Sequence, residues 1–322
     1  MNSRTWSLSL FAICALAVVI SVGFGTTQIN FRDSLAGLAG QSTPDINEII
    51  QTIRLPRVLL AACVGAGLGA SGAALQGFTR NALAAPGLLG FSACAALGAV
   101  LALYFGLSKF VTPAAIFFAF VGATAITLFS RRKPGASGLV LGGIGIGALA
   151  TAVTGLVMNL APNPWALSEL IYWLMGSLKN ADLPDVIFAA PLTLLGLALL
   201  LYSGPALRVL GLGEETAQSL GISVSQTQLL IVAGCALCIG SGVAVAGAIG
   251  FVGLFIPHII RFVIGPDEAW LILFSALGGA IFLILIDTLI RMTAGPGTPL
   301  YLGIVTSLIG VPFFLFLAWR QT

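Results

Sequence analysis

The stretch VLLAACVGAGLGASGAALQGFT, residues 58–79, carries no charged side chain and is bounded by Arg57 and Arg80. An α-helix rises about 1.5 Å per residue, so about 20 apolar residues cross the roughly 30 Å hydrocarbon layer of a bilayer. Similar stretches recur along the chain about ten times. The pattern predicts an all-α, polytopic membrane protein with about ten transmembrane helices.

The composition supports this class. Only 8% of the 322 residues are charged, whereas soluble domains carry roughly 25%. The 40 glycines lie among Leu, Ala, Val and Ile, which indicates close helix–helix contacts. A net charge of +3, dispersed along the chain, argues against nucleic-acid binding. The pair Cys235 and Cys238 lies in an apolar run without the further ligands that a zinc site needs, so no metal site is predicted.

Residues 1–322 are expected to form one transmembrane domain. The first apolar run is interpreted as a span and not as a signal peptide, because it is long and no small-residue cleavage site follows it. The predicted spans are 6–25, 57–79, 87–107, 112–130, 138–159, 186–203, 228–248, 250–265, 269–290 and 300–318.

Two segments depart from a simple span. Residues 250–265 are short and begin beside Gly247 and Gly250, which favours a broken or re-entrant element paired with the preceding span. Residues 165–178, rich in Trp and Tyr, are amphipathic and are expected to lie at a membrane interface.

Ten spans place both termini on one side of the membrane. The Arg131-Arg132-Lys133 cluster favours the cytoplasm for that side, although the positive-inside bias of the other loops is weak. Within the spans, Gly65 and Gly69 are separated by four positions, a spacing that lets helices approach closely. The pairs Gly138 and Gly142, and Gly143 and Gly147, repeat this spacing.

Three stretches carry a family resemblance. The first runs from RLPR at 54–57 through ASGAALQG at 70–77 to RNALAAPGLLG at 80–90. The others are LGLGEETAQSLGISV at 210–224 and GAIGFVGLFIPHIIR at 247–261. Together they resemble the FecCD family, the permease subunits of ABC importers for iron–siderophore, haem and cobalamin. The resemblance covers nearly the whole chain.

The polar loop at about 205–227 contains Glu214 and Glu215 in the first turn of a possible short helix, which Gly221 can end. A solvated connecting loop is the alternative. The resemblance implies that this loop couples the permease to an ATP-hydrolysing subunit. The implied coupling residues are Glu214, Glu215, Ala217, Leu220 and Gly221.

Arg54 and Arg57 flank a Leu-Pro pair at the outer end of the second span, and Arg291 ends the ninth span on the same side. Arginine presents a planar fork that can bind a carboxylate with two hydrogen bonds. The resemblance implies docking of these arginines to glutamates of a periplasmic binding protein. Local pairing with Asp45, Glu48 or Asp287 is the alternative.

The resemblance also implies a cytoplasmic gate at Asn81, Leu83 and Ser137. Ala82 stands where the family usually has proline, and Asn81 could alternatively cap a helix end. Two other departures, at residues 265–269 and 297–303, weaken any transfer of contacts at the outer mouth and with the substrate.

The single histidine, His258, has no metal-ligand partners at helical spacing, so a structural hydrogen bond is favoured for it. Ser71 lies in a Gly-x-Ser-Gly sequence typical of intramembrane serine proteases, but 187 residues separate it from His258. An ion-coupled secondary transporter is the stronger alternative. Such carriers usually place ionisable residues in mid-membrane, and here Asp287 lies near the end of a span.

The expected function is therefore that of a translocation subunit and not of an enzyme. The chain has no GxxxxGK[ST] loop, so ATP is expected on a partner and no cofactor on this chain. The resemblance implies a second permease subunit (a second copy or a close homologue), two ATP-binding subunits and a periplasmic substrate-binding protein. It also implies a bacterial inner membrane, with an iron–siderophore, haem or corrinoid chelate as cargo.

Overall fold

The computed structural model describes residues 3–25, 27, 29–131, 135–265, 267–293 and 300–320. A π-helical turn at Ile49–Arg54 joins α3 to α4, and a 3₁₀ turn at Ser108–Phe110 precedes α6. The described helices are α1 Ser3–Gly23, α2 Phe31–Leu38, α3 Pro44–Glu48, α4 Leu55–Thr79, α5 Phe91–Tyr104, α6 Val111–Ser130, α7 Ala136–Asn159, α8 Pro164–Leu174, α9 Leu183–Leu210, α10 Glu214–Ser219, α11 Val224–Ala246, α12 Val252–Ile264, α13 Glu268–Thr293 and α14 Leu302–Arg320.

The predicted class is confirmed, with an apolar helix at each predicted span. Seven helical segments among the described residues are long and apolar enough to cross a membrane, and three shorter apolar helices, α5, α12 and α14, occupy the other predicted positions. Several helices extend beyond the predicted limits, and those of the second and sixth spans do so most. The second span is helical from Pro44, and α9 begins at Leu183, where Asp182 and Asp185 form a capping box. The limits of an apolar run in the sequence mark the part of a helix inside the hydrocarbon layer, so they miss the polar ends of the helix.

Helix α4 is the central helix of the bundle and packs on α9, α11, α12 and, most extensively, α13. A Cβ atom at Gly65 would overlap the carbonyl oxygen of Gly279, and one at Gly69 would overlap that of Ser275. The two backbones therefore touch, as the glycine spacing predicts. In α7, Gly143 lies against the backbone of Leu89 in the same way.

The chain is broken between α11 and α12. Helix α12 has 13 residues, so it is about 20 Å long and cannot cross the hydrocarbon layer alone. The Ser177 N–H donates to the carbonyl oxygen of Ala246 at 2.8 Å, and the Gly303 N–H donates to that of Gly176 at 3.4 Å. The predicted break in the helix is confirmed, but α12 packs mainly on α4 and α13 and not on the preceding span α11. Helix α8, with 11 residues, is likewise too short to span.

Charged residues gather at the two ends of the bundle. Helix α4 begins beside Arg57 and ends beside Arg80, and α13 runs in the opposite direction. We call the first end the arginine end (Arg54, Arg57, Asp287 and Arg291) and the other the α10 end. Which end faces the cytoplasm stays a prediction. Two residues of the basic cluster that favours it, Arg132 and Lys133, lie outside the described residues. Residues 297–299, part of the departure from the family pattern at 297–303, also lie outside them.

Substitution Gly65→Ala tests the contact between α4 and α13. The added methyl group would overlap the Gly279 carbonyl oxygen, so the two helices would have to separate. Overpacking typically costs about 1–3 kcal/mol, and we expect a lower melting temperature for the purified protein in detergent. The control Gly155→Ala, on the exposed face of α7, meets no atom within 4 Å and should leave it unchanged. Equal melting temperatures for the two variants would contradict the tight contact.

Candidate functional site

The loop between α9 and α11 contains a short helix, as its sequence predicts. Helix α10 ends at Ser219, and Gly221 closes the turn that follows: its φ of +85° suits glycine, and its N–H donates to the Gln218 carbonyl oxygen at 2.9 Å. The Ser223 hydroxyl then caps α11 by accepting the Gln226 N–H at 3.3 Å. The loop is thus folded between two fixed helix ends.

The side of this loop that faces away from the bundle is accessible and carries two exposed leucines. Leu212 is 69% exposed and Leu220 62% exposed on either side of α10, and Glu215 is also exposed. Ala217 is fully buried and packs α10 onto the bundle. Among the predicted coupling residues, Glu215, Leu220 and Gly221 therefore lie on the free surface, whereas Ala217 faces inward.

Glu214 also faces the bundle. Its Oε1 accepts the Ala136 N–H at 3.4 Å, at the first residue of α7. The same oxygen lies 4.0 Å from an Arg80 side-chain nitrogen, at the end of α4. This carboxylate therefore joins α10 to two of the spanning helices.

The predicted gate residues lie where α4 ends. Arg80 adopts a left-handed conformation with φ +51°, and the Asn81 N–H donates to the Gln76 carbonyl oxygen at 3.2 Å. The Asn81 side chain accepts the Leu83 N–H at 2.9 Å, so it stabilises the turn after the helix. This contact resembles the helix-capping role that the sequence offered for Asn81 as the alternative to a gating role.

Leu83 and Ser137 lie on different parts of this end. Leu83 is exposed and borders a small cleft formed with α12 and α14, which includes His258 and Phe313. Ser137 is exposed in the first turn of α7, next to Ala136. The structure places both at the α10 end, and their gating role stays a prediction.

At the arginine end, Arg54 is 4% exposed. Its guanidinium donates to the carbonyl oxygens of Val22 at 2.9 Å, Gly23 at 3.2 Å and Thr27 at 2.7 Å. The last carbonyls of a helix have no partners within the helix. Arg54 therefore satisfies the end of α1 and ties it to the start of α4.

Asp287 lies between the other two arginines. The Arg57 Nε lies 3.0 and 2.9 Å from its two oxygens, and the Arg57 Nη2 lies 2.8 Å from Oδ1. The Arg291 Nε is 3.0 Å from Oδ2 but does not point at it, so this contact is an ion pair without a hydrogen bond. The structure thus shows the alternative of local pairing, with Asp287; among the described residues, Asp45 and Glu48 form no ion pair with these arginines.

Arg291 also binds the end of α1. Its Nη1 donates to the Phe24 carbonyl oxygen at 2.8 Å and its Nη2 to the Ser21 hydroxyl at 2.6 Å. The main-chain contacts of Arg291 and Arg54 could not be predicted, because carbonyl acceptors have no residue-specific signal in the sequence.

A polar network at the α10 end was also missed. Gln76 donates to the Leu254 carbonyl oxygen at 3.1 Å and accepts from Arg261 at 3.1 Å. Arg261 reaches Glu268 at 3.5 Å, so α4, α12 and α13 are linked. Gln76 is the one amide side chain in residues 58–79. A single polar side chain in an otherwise apolar span was the sequence feature that could have indicated this network.

The structure records no hydrogen bond for His258 among the described residues, so the bond predicted for it stays a prediction. Among the described residues its recorded contact is with the Phe313 ring, edge to face, at 6.1 Å between centroids. The Ser71 hydroxyl is buried and has no hydrogen-bond partner in the described part of the chain, so it is not bonded to His258. The structure therefore forms no serine–histidine dyad from these two residues.

Two cavities adjoin the chain break beside α8. An open apolar groove of about 560 Å³ separates the end of α8 from α14, and Met175, Ala248 and Leu308 line it. A more polar cavity of about 620 Å³ is bordered by α8, with Glu169, Lys179 and Tyr301 among its lining residues. Both lie where the main chain of residues 247–251 is not helical.

Comparison with known proteins gives consistent matches. The model of the FecCD transport family matches residues 13–320. The hemin transport system permease protein of Yersinia pestis is 39% identical, over 100% of this chain and 98% of its own. The cobalamin import system permease protein of Halobacterium salinarum is 42% identical, over 84% of this chain and 73% of its own.

The fold has a close structural match. A solved inward-facing structure of a transporter assigned to the metal-chelate ABC type superposes with a TM-score of 0.88 and 31% identity, covering 98% of this chain and 99% of the other. The family match and the near-complete coverage agree with the helical architecture. The chain belongs to the FecCD transport family.

Proposed function

We propose that this chain is the permease subunit of an ATP-driven importer that carries a metal chelate (an iron–siderophore, haem or a corrinoid) into the cytoplasm. The observation that carries the proposal is the α10 loop, a short folded helix with exposed Leu212 and Leu220 at one end of a membrane bundle. An exposed apolar surface on an anchored loop suits docking to a soluble partner. The relatives named for hemin and cobalamin support the cargo class.

The proposed assembly has a second permease subunit, two ATP-hydrolysing subunits and a substrate-binding protein. The chain contains no GxxxxGK[ST] sequence, which supports ATP hydrolysis on a partner. Helices α7 and α14 are largely exposed in the single chain, with large apolar side chains that need lipid or a second subunit as neighbours. We place the complex in the inner membrane of a bacterium, with both termini in the cytoplasm.

The proposed mechanism is mechanical. Closure of the ATP-hydrolysing subunits displaces the two α10 loops, and the helices tied to them open or close a path between the permease subunits. The apolar groove beside residues 247–251 would form part of the wall of that path. A wide apolar wall suits a bulky chelate, which needs passage with few strong contacts.

No observation favours the ion-coupled alternative. Asp287 is the buried carboxylate at the arginine end, and Arg57 and Arg291 both lie within 3.0 Å of it. A carboxylate neutralised in this way offers no open site for a coupling ion.

Docking of the binding protein by Arg54, Arg57 and Arg291 stays a prediction. Arg54 and Arg291 are buried, and both donate to the end of α1. A glutamate of the binding protein would have to displace these internal acceptors. We therefore propose that the arginines chiefly hold α1, α4 and α13 together.

The double substitution Leu212→Asp and Leu220→Asp tests the docking surface of the loop. Carboxylates on this apolar surface should weaken binding of the ATP-hydrolysing subunit by about tenfold or more, since central contacts of an interface are worth about 2 kcal/mol or more. Co-purification of that subunit and ATP hydrolysis by the complex are the measurements. The control Leu107→Asp alters an exposed leucine at the other end of the bundle and should change neither. Normal assembly of the double variant would refute the docking assignment.

Substitution Asp287→Asn tests the role of the arginines. It would leave two guanidinium groups facing one another in a buried site, and removing one partner of a buried pair costs roughly 3–5 kcal/mol. We expect a markedly lower melting temperature in detergent. The control Asp45→Asn, exposed at the same end, should have no effect. An unchanged melting temperature for Asp287→Asn, together with salt-dependent loss of binding-protein docking for Arg57→Glu, would restore the docking role.

A further inference from the structure

Glu214 differs from its neighbours in the α10 loop by the direction of its contacts. Glu215, Leu212 and Leu220 are exposed, and the structure records no ion pair or hydrogen bond for their side chains among the described residues. The carboxylate of Glu214 instead contacts the bundle, through the Ala136 N–H at 3.4 Å and Arg80 at 4.0 Å. Among these four side chains, that of Glu214 therefore points toward the spanning helices and the other three toward the solvent.

The contact with α7 has a favourable electrostatic setting. Ala136 is the first residue of a 24-residue helix, and its N–H has no acceptor within that helix. The N-terminal end of a helix carries a partial positive charge that attracts a carboxylate. Glu214 thus supplies a cap for α7 from a distant part of the chain.

Gly135 makes room for this cap. Its φ of +99° is a conformation that side chains other than glycine rarely adopt. A Cβ atom at this position would lie 2.7 Å from the Glu214 Oε2. Any larger residue would therefore push the carboxylate away from the start of α7.

The second contact leads directly to the predicted gate. Arg80 ends α4, and the turn held by Asn81 and Leu83 follows it without a break. Ser137 follows Ala136 in the first turn of α7. Both places that Glu214 contacts are therefore one residue away from a predicted gate residue.

We propose that Glu214 is the positioning residue that transmits displacement of α10 to the gate, through the start of α7 and the end of α4. The proposal rests on the proposed function, since it presupposes that a partner displaces α10. Docking to the partner and transmission of the movement are then carried out by different residues of the loop. Leu212, Glu215 and Leu220 face the partner, and Glu214 carries the movement inward.

The test follows the gate directly and needs no knowledge of the cargo. In the assembled complex, with the five native cysteines changed to alanine, Leu83→Cys introduces one thiol in the gate turn. The rate at which a maleimide reagent modifies it is measured without nucleotide and with ATP plus vanadate. Coupling between distant sites is typically about 5–150-fold, so we expect nucleotide to change the rate by about fivefold or more in the otherwise unaltered chain.

Glu214→Ala removes the link and should reduce this change to less than about twofold, while the ATP-hydrolysing subunit still co-purifies and hydrolyses ATP. Glu214→Gln keeps an acceptor for the Ala136 N–H but loses the charge, so its response should be intermediate. The control Glu48→Ala removes an exposed carboxylate at the arginine end, for which the structure records no ion pair among the described residues, and it should respond like the unaltered chain.

The outcomes separate the two hypotheses. A full nucleotide response in Glu214→Ala would overturn the transmission role and leave the proposed function intact. Loss of the ATP-hydrolysing subunit from Glu214→Ala would place Glu214 on the docking surface and also overturn it. If nucleotide has no effect on the unaltered chain, or no such subunit assembles with it, the proposed function itself fails.

Discussion

The backbone contact between α4 and α13 is the constraint on which the rest of the bundle depends. In lipid there is no hydrophobic drive to bring helices together, so close packing and polar contacts must do it. Gly65 and Gly69 allow the two antiparallel helices to touch, which sets their axial register. That register brings Arg57 to Asp287 at one end and Gln76 toward the Arg261–Glu268 pair at the other.

The two ends then serve different purposes. At the arginine end, guanidinium groups satisfy carbonyl oxygens and a carboxylate, so that α1, α4 and α13 are fixed to one another. At the α10 end, Gln76 and Arg261 also link helices, while Glu214 reaches α7 and Arg80 over longer distances of 3.4 and 4.0 Å.

The sequence predicts the helices well because the bilayer fixes their length. The uncharged run from Val58 to Thr79 could be only a span, and the short segment after Gly247 could not be a complete one. The partners of Arg54 could not be predicted, because carbonyl oxygens at the end of α1 look alike in every sequence. Asp287 was one of three possible partners for the arginines, and the choice depended on helix register. For His258, the contact that the described residues show is with the aromatic ring of Phe313, which its apolar sequence neighbours did not specify.

The break at residues 247–251 gives the bundle two unlike flanks. Polar main-chain atoms outside a helix find no partners among acyl chains, so such a segment must be covered by protein or wetted. The Ser177 N–H covers part of it by donating a hydrogen bond to the Ala246 carbonyl oxygen. Beside it, the Gly303 N–H donates to the Gly176 carbonyl oxygen. The non-helical main chain on this flank is therefore unsuited to face lipid, whereas α1 on another flank exposes Leu8, Phe11 and Leu16 and can lie directly among acyl chains.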